Sequence, residues 1–185
     1  MPFITENKMR NYKEFYREAK GRLPHIYVDM DGVLVDFVKG ANKASGKDWS
    51  VKRPDQDWNP IKSTRNFWST LPWTRDGRQL WSYVKKYSPS ILTATVTRDT
   101  DPNATPGKLK WIRNNLGLSD SSRINIVLRS QKRGFAMKGW LWAREPAVLI
   151  DDYPKNIREW SGKGGIGILH TSTSSTISSL KRLGF

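Results

Sequence analysis

The 185-residue sequence contains no cysteine, which excludes disulfide bonds and metal sites built from thiolates. It also has no apolar run close to the roughly 18 residues that a membrane-spanning helix requires. The N-terminal stretch MPFITENKMRNYKEFYREAK carries charges where a secretion signal would need an apolar core. We therefore expect a cytoplasmic protein without a membrane partner.

Acidic residues are scarce relative to basic ones. The chain has 32 lysines and arginines against 17 aspartates and glutamates, which gives a formal net charge of +15. A positive field of this size attracts anions and speeds their capture. Nucleotides, nucleic acids and acidic surfaces are therefore all candidate partners, whereas a solvated basic surface that only maintains solubility is the alternative for any single lysine or arginine.

Apolar segments of strand length alternate with segments of helical periodicity along most of the chain. Strands are predicted at residues 25–30, 90–93, 123–128, 147–150 and 165–169. Helices are predicted at residues 35–45, 76–86, 108–116, 132–139, 154–160 and 174–182, with an amphipathic helix within residues 1–22. Because strands joined by helices pair in parallel, the pattern predicts an α/β fold with a doubly wound parallel sheet.

Residues 47–75 differ from the rest of the chain in composition. They lack the alternation of a strand and contain four tryptophans and three prolines, at positions 49, 58, 68, 73 and 54, 60, 72 respectively. This composition predicts a compact insertion of short helices and loops after the first strand.

Pairs of acidic residues follow two of the predicted strands. Asp29 and Asp31 end the first strand in VDMDG, and Asp151 and Asp152 end the AVLI strand. Thr93 ends the second strand. The carboxyl ends of parallel strands meet at one edge of the sheet, where ligands bind. Carboxylates gathered there repel one another unless a cation compensates, and the hard oxygen ligands favour Mg²⁺.

A calcium-binding loop is a competing interpretation of DMDG. Such loops place a glycine sixth and a glutamate twelfth from the first aspartate. Here Gly32 is the fourth residue from Asp29, and the twelfth is Gly40. The calcium-loop interpretation therefore fails.

Four short segments of the chain are DMDGVLVD, a strand that ends in LTA, the lysine of SQKRGFA, and LIDD. Together they resemble the motifs of the haloacid-dehalogenase-like (HAD-like) phosphohydrolase superfamily. Within that superfamily, NFWSTLPW and LIDDYPKNIREWSGKGGIGILH are most similar to the 5′(3′)-deoxyribonucleotidase branch. The resemblance covers roughly residues 25–170 and implies a HAD-like Rossmannoid core with a small helical cap.

The resemblance implies roles for the acidic residues. Asp29 would be the nucleophile that forms an aspartyl-phosphate, and Asp31 the general acid and then the general base. Mg²⁺ would bind the Asp29 carboxylate, the Asp31 backbone carbonyl and one acid of the second pair. Asp151 is the preferred ligand of that pair, while Asp152 is the alternative ligand or orients the waters of the metal.

Phosphate binding is implied for three further residues. Thr93 supplies a hydroxyl, and the backbone N–H of Ala94 lies beside it. Many relatives have a second hydroxyl residue where this chain has Ala94. Lys132 is the match for the cation that neutralises charge in the transition state, although Arg133 is adjacent.

The resemblance also implies a division of the chain. Residues 40–85 would form the helical cap, and residues 1–39 and 86–185 the core. Phe67 and Trp68 are the candidates for contact with a nucleobase, since aromatic rings stack on bases. The alternative is that the aromatic residues of the cap form a small core of their own.

The expected activity is Mg²⁺-dependent hydrolysis of (deoxy)nucleoside monophosphates or other phosphomonoesters. Residues 39–86 hold 11 basic residues and 4 aspartates, a balance of +7, which is more than a mononucleotide needs. A phosphatase that acts on the ends of nucleic acids is therefore the first alternative. A catalytically silent protein that contacts nucleic acid through its basic surface is the second alternative.

Overall fold

The computed structural model describes residues 23–51, 56–138 and 145–185, so the helix predicted within residues 1–22 lies outside the described residues. The strands are β1 (Ile26–Val28), β2 (Ser90–Thr95), β3 (Ile124–Leu128), β4 (Met137–Lys138), β5 (Glu145–Pro146), β6 (Val148–Asp151) and β7 (Ile166–Leu169). The α-helices are α1 (Phe37–Ser45), α2 (Asn59–Ser63), α3 (Gly77–Val84), α4 (Ala104–Leu116), α5 (Pro154–Gly162) and α6 (Thr173–Arg182). Short 3₁₀ helices cover Phe67–Ser69, Lys85–Tyr87, Ser121–Arg123 and Arg129–Phe135.

Five strands form one parallel sheet in the order β3-β2-β1-β6-β7. The chain builds outward from β1 to β3 on one side and then continues with β6 and β7 on the other side. The order therefore reverses between β1 and β6, which is the point where doubly wound sheets bind ligands. Strands β4 and β5 form a separate antiparallel pair.

Both faces of the sheet are covered. Alternate strand residues belong to different buried clusters, with Ile26 and Val28 in one and Tyr27 in the other. The first cluster includes residues of α3, α4 and α6, whereas the second includes Trp160 of α5. Because neighbouring strand residues point to opposite faces, helices cover both sides. The predicted α/β fold with a doubly wound parallel sheet is confirmed.

Several element boundaries differ from the predictions. Strand β2 continues to Thr95, two residues past Thr93. Helix α4 begins at Ala104 rather than at 108, because Pro106 lies in the first turn, where a helix does not need the missing N–H. The helix predicted at 132–139 is instead a 3₁₀ segment, Arg129–Phe135, because Met137 and Lys138 pair with β5.

The segment between β1 and β2 returns to the residues that follow β1, where the two stretches of backbone form hydrogen bonds. The Asp36 N–H donates to the Pro72 carbonyl at 2.9 Å, and the Thr74 N–H donates to the Leu34 carbonyl at 2.9 Å. Aromatic side chains of this segment pack together, and those that are buried belong to the same hydrophobic cluster as residues of the strands. The rings around Phe37, with centroids 5.6 to 6.2 Å from it, are those of Trp49, Trp58, Phe67 and Trp68.

Within the described ranges, no helix combines the length and the apolar character needed to cross a membrane.

Candidate active site

Asp29 and Asp151 occupy equivalent positions on the two central strands. Val28 of β1 is in register with Ile150 of β6, so the acids that follow them lie side by side at the carboxyl edge. The Asp29 N–H donates to the Ile150 carbonyl at 2.9 Å, which extends the pairing to the acid itself. Both aspartates are buried. The apolar runs of the two strands therefore bring the two acid pairs to the point where the strand order reverses.

A tight turn follows Asp29. The Met30 N–H donates to Oδ1 of Asp29 at 2.7 Å, and Gly32 has a φ of +75°. A β-carbon at position 32 would collide with the Asp152 carboxylate. Glycine therefore permits both the left-handed conformation and the close approach of Asp152 to the turn.

Three carboxylates and one lysine meet at this edge. One oxygen from each of Asp29, Asp151 and Asp152 lies within 4.8 Å of the others. The Lys132 Nζ lies 2.8 Å from Oδ2 of Asp29 and 2.8 Å from Oδ2 of Asp151. Lys132 is only 2% exposed, whereas Arg133 is exposed. Of the two adjacent cations considered from the sequence, Lys132 is the one in contact with the acids.

Helix α5 fixes the orientation of Asp151. The Asn156 Nδ2 donates to both carboxylate oxygens of Asp151, at 3.0 and 2.9 Å, and the Tyr153 N–H donates to Oδ1 at 2.9 Å. Asn156 is buried and was not among the predicted site residues. Its position in the first turn of the helix that directly follows the acid pair is the sequence feature that could have identified it.

A second buried lysine, Lys108 of α4, was also missed. Its Nζ forms a salt bridge with Oδ2 of Asp31 and donates to Oγ1 of Thr93 at 3.2 Å. The same atom lies 5.3 Å from the ring centroid of Trp68, and the lysine is only 1% exposed. Ala104, Lys108 and Trp111 share the buried face of α4, so a lysine within an apolar i, i+4, i+7 stripe was the available signal.

Burial and the charges of neighbouring acids raise the pKa values of Asp31, Asp151 and Asp152. Burial, and then the charge of Asp29, raise the pKa of Asp151 to about 6, although Lys132 opposes the rise. Burial, with the charges of Asp29 and Asp151, raises the pKa of Asp152 to about 7. Burial also raises the pKa of Asp31 against the opposing charge of Lys108. The cluster therefore contains more negative charge than its two lysines compensate.

The residues present fit a divalent cation. Four ionised aspartates carry four negative charges, and Lys108 and Lys132 contribute two positive charges. A bound Mg²⁺ would balance the remainder, with oxygen ligands from Asp29, Asp151 and Asp152. The Asp31 carboxylate is directed to Lys108 and is not part of the three-acid group. Oδ1 of Asp31 is buried without a hydrogen-bond partner in the described part of the chain.

Two of the remaining predicted residues, Thr93 and Trp68, lie beside Lys108. Thr93 is buried and contacts that lysine, and Ala94 follows it within β2. Phe67 and Trp68 are 5% and 4% exposed, values typical of core rings. The Trp68 Nε1 donates to Oδ2 of Asp101 at 2.7 Å. Contact of Phe67 and Trp68 with a nucleobase stays a prediction.

No family model matches the chain, and no curated protein matches it. A hydrolase from Streptococcus pneumoniae TIGR4 has a similar structure, with 12% sequence identity and a TM-score of 0.46 over 86% of this chain and 100% of that one. A HAD family hydrolase from Deinococcus radiodurans R1, solved with bound phosphate and sodium, matches with 12% identity and a TM-score of 0.42 over 88% of this chain and 96% of that one. Similarities of this strength assign no activity.

Proposed function

We propose that this protein is a Mg²⁺-dependent phosphomonoesterase that hydrolyses (deoxy)nucleoside monophosphates. The observation that carries the proposal is the group of three carboxylates, two of them in contact with Lys132, at the point where the strand order reverses. Acids gathered with this excess of negative charge suit a metal and the phosphate it would bind.

In the first chemical step, a carboxylate oxygen of Asp29 attacks phosphorus and forms the aspartyl-phosphate. The ester P–O bond breaks, and the leaving oxygen takes a proton from the carboxyl group of Asp31. Oδ2 of Asp31 is bound to Lys108, and Oδ1 has no hydrogen-bond partner among the described residues. Burial raises the pKa of Asp31, and a raised pKa favours the protonated form that this step needs.

In the second step, water attacks the phosphorus of the aspartyl-phosphate. Asp31 removes a proton from that water, the bond between phosphorus and the Asp29 oxygen breaks, and inorganic phosphate leaves. When bound, Mg²⁺ would screen the dianionic phosphate from the attacking carboxylate. Asn156 keeps Asp151 oriented throughout, because it donates to both of its carboxylate oxygens.

Both the proposed core and the proposed cap would contribute to substrate binding. Lys132, the Thr93 hydroxyl and the Ala94 N–H would bind the phosphate oxygens. Residues 40–85 would serve as the cap over the phosphate, with Phe67 and Trp68 on the side of the nucleoside.

Phosphate release tests the proposal. Purified protein is incubated with dTMP, dUMP and a 3′-phosphorylated oligonucleotide, with Mg²⁺ and with EDTA, and the Asp29→Asn variant is the control. We expect Mg²⁺-dependent release from the mononucleotides and none from the variant. Absence of release from every ester would contradict the proposal, and oligonucleotide binding without release would support the silent binding protein instead.

A phosphatase that acts on nucleic acid ends is the second candidate. The observation that favours it is the excess of basic residues between positions 39 and 86, where the sequence has 11 lysines and arginines but only 4 aspartates. Release of phosphate from the oligonucleotide but not from dTMP or dUMP would favour this candidate over the first.

A further inference from the structure

A cleft of about 360 Å³ lies beside the candidate active site and contains none of its acids. Residues 61–69 form one wall, and residues at the start of α4 form the other. Its volume is within the range of about 300–1,000 Å³ that is usual for ligand sites. Phe67 and Trp68, which are buried, also contribute to the lining.

The start of α4 faces both the cleft and the active site. Asn103, Gly107 and Lys110 line the cleft and are spaced at i, i+4 and i+7, which places them on one side of the helix. Lys108 lies on the adjacent buried side and contacts Asp31. Trp68 stands between the two sites, because it lines the cleft while its ring lies 5.3 Å from the Lys108 Nζ. The cleft is therefore separated from the active site by about one side chain.

The charge of the cleft is positive. Lys62, Arg65 and Lys110 line it with exposed side chains, and within the described ranges none of them makes an ion pair. The acid in the lining is Asp101, which is buried. Its two oxygens already accept hydrogen bonds, from the Trp68 indole at 2.7 Å and from the Asn103 N–H at 2.9 Å. Three cations therefore remain for an anionic ligand.

We infer that this cleft binds the sugar-phosphate backbone of a single-stranded nucleic acid whose end reaches the candidate active site. Phosphates spaced along a strand suit cations on two facing walls, whereas the single phosphate of a mononucleotide is already served by Lys132. The part of the inference that concerns the strand end rests on the proposed phosphatase function.

Binding is measured first, without turnover. Fluorescence anisotropy in EDTA follows a labelled oligothymidylate with a 3′-phosphate over a range of salt concentrations. The test variant removes the three cleft cations, and a matched variant removes three exposed cations at the opposite edge of the sheet, with unfolding temperatures checking that both fold. The two triple variants are Lys62→Ala/Arg65→Ala/Lys110→Ala and Lys163→Ala/Lys181→Ala/Arg182→Ala.

We expect the cleft variant to bind the oligonucleotide about tenfold more weakly or worse, and the matched variant to change by less than about twofold. Each contact between a cation and a single-strand phosphate contributes roughly 0.7 to the slope of log affinity against log salt, so the slope should decrease in magnitude by about 2. Equal weakening in both variants, or no weakening in either, would overturn the inference.

Turnover then separates this inference from the proposed function. The kcat/KM for the phosphorylated oligonucleotide should fall in the cleft variant, mainly through KM, while that for dTMP stays within about twofold. If the wild-type protein hydrolyses dTMP but the cleft variant binds the oligonucleotide as tightly as wild type, the inference about the cleft is wrong and the proposed phosphatase activity stands. If the wild-type protein hydrolyses no ester but the cleft variant loses oligonucleotide binding, the inferred binding role of the cleft is supported and the proposed phosphatase function is contradicted.

Discussion

Replacement of Lys132 by methionine tests how the acid cluster is held together. The Lys132 Nζ lies 2.8 Å from a carboxylate oxygen of Asp29 and of Asp151, and the side chain is buried. Removing one member of a buried ion pair costs about 3–5 kcal/mol. For a chain of this length each kcal/mol corresponds to about 2–4 °C, so we expect the unfolding temperature without metal to fall by about 6–20 °C near neutral pH.

The loss should depend on pH. The pKa of Asp151 in the folded protein is raised to about 6 from an ordinary value of 3.8, so the folded state binds more protons than the unfolded chain between those values. Stability of the metal-free protein therefore falls as pH rises through this window. Because Lys132 lowers the pKa of Asp151, that pKa should be higher in the variant, so the stability of the variant should decline more, and over a wider pH range, as pH rises. The difference in unfolding temperature between the variant and wild type should therefore shrink near pH 5.

The measurement is thermal unfolding by circular dichroism in EDTA, near pH 5 and again near pH 7.5. Lys155→Met is the matched control, since Lys155 is exposed at the start of α5, and it should unfold within about 2 °C of wild type. A Lys132→Met variant as stable as the control, or equally destabilised at both pH values, would refute the proposed balance of charge.

Three further substitutions test separate parts of the site. Asp29→Asn should abolish phosphate release while the circular dichroism spectrum of the folded protein is retained, and substantial residual turnover would remove Asp29 as nucleophile. Asn156→Ala removes two hydrogen bonds from Asp151 and should weaken Mg²⁺ binding by about 10- to 100-fold in calorimetric titration; unchanged affinity would limit Asn156 to a structural role. Gly107→Ala would place a β-carbon 2.5 Å from Cβ of Trp68, so denaturant unfolding should show a loss of about 1–3 kcal/mol, and an unchanged midpoint would contradict the close packing of the 3₁₀ helix on α4.

The acid pairs could be predicted from the sequence because each follows an apolar strand, and the parallel sheet brings strand ends together. Lys132 could be selected because it lies in a recognisable segment near the motif acids. Lys108 could not be selected in this way, since a single lysine in a helix is ordinarily a surface residue. Its role depends on the packing of α4 against Asp31, which is a tertiary contact.

Boundaries were less predictable where local chemistry favours two conformations. The sequence PNATPG has the composition of a loop, yet Ala104, Pro106 and Gly107 form the first turn of α4. Gly107 is required there by the close approach of Trp68 rather than by a turn. The cleft was not predicted either, because its two walls come from segments that are distant in the sequence.

The central claim is that carboxylates from two distant parts of the chain share one divalent cation. Calorimetric titration of Mg²⁺ near pH 6, in two buffers with different ionisation enthalpies, measures both the metal and the protons it displaces. We expect one Mg²⁺ per chain with release of protons, because Asp151 and Asp152 have pKa values of about 6 and about 7 and must ionise to bind it. Binding should be lost in Asp151→Asn. No binding by the wild-type protein, or equal binding by that variant, would contradict the claim.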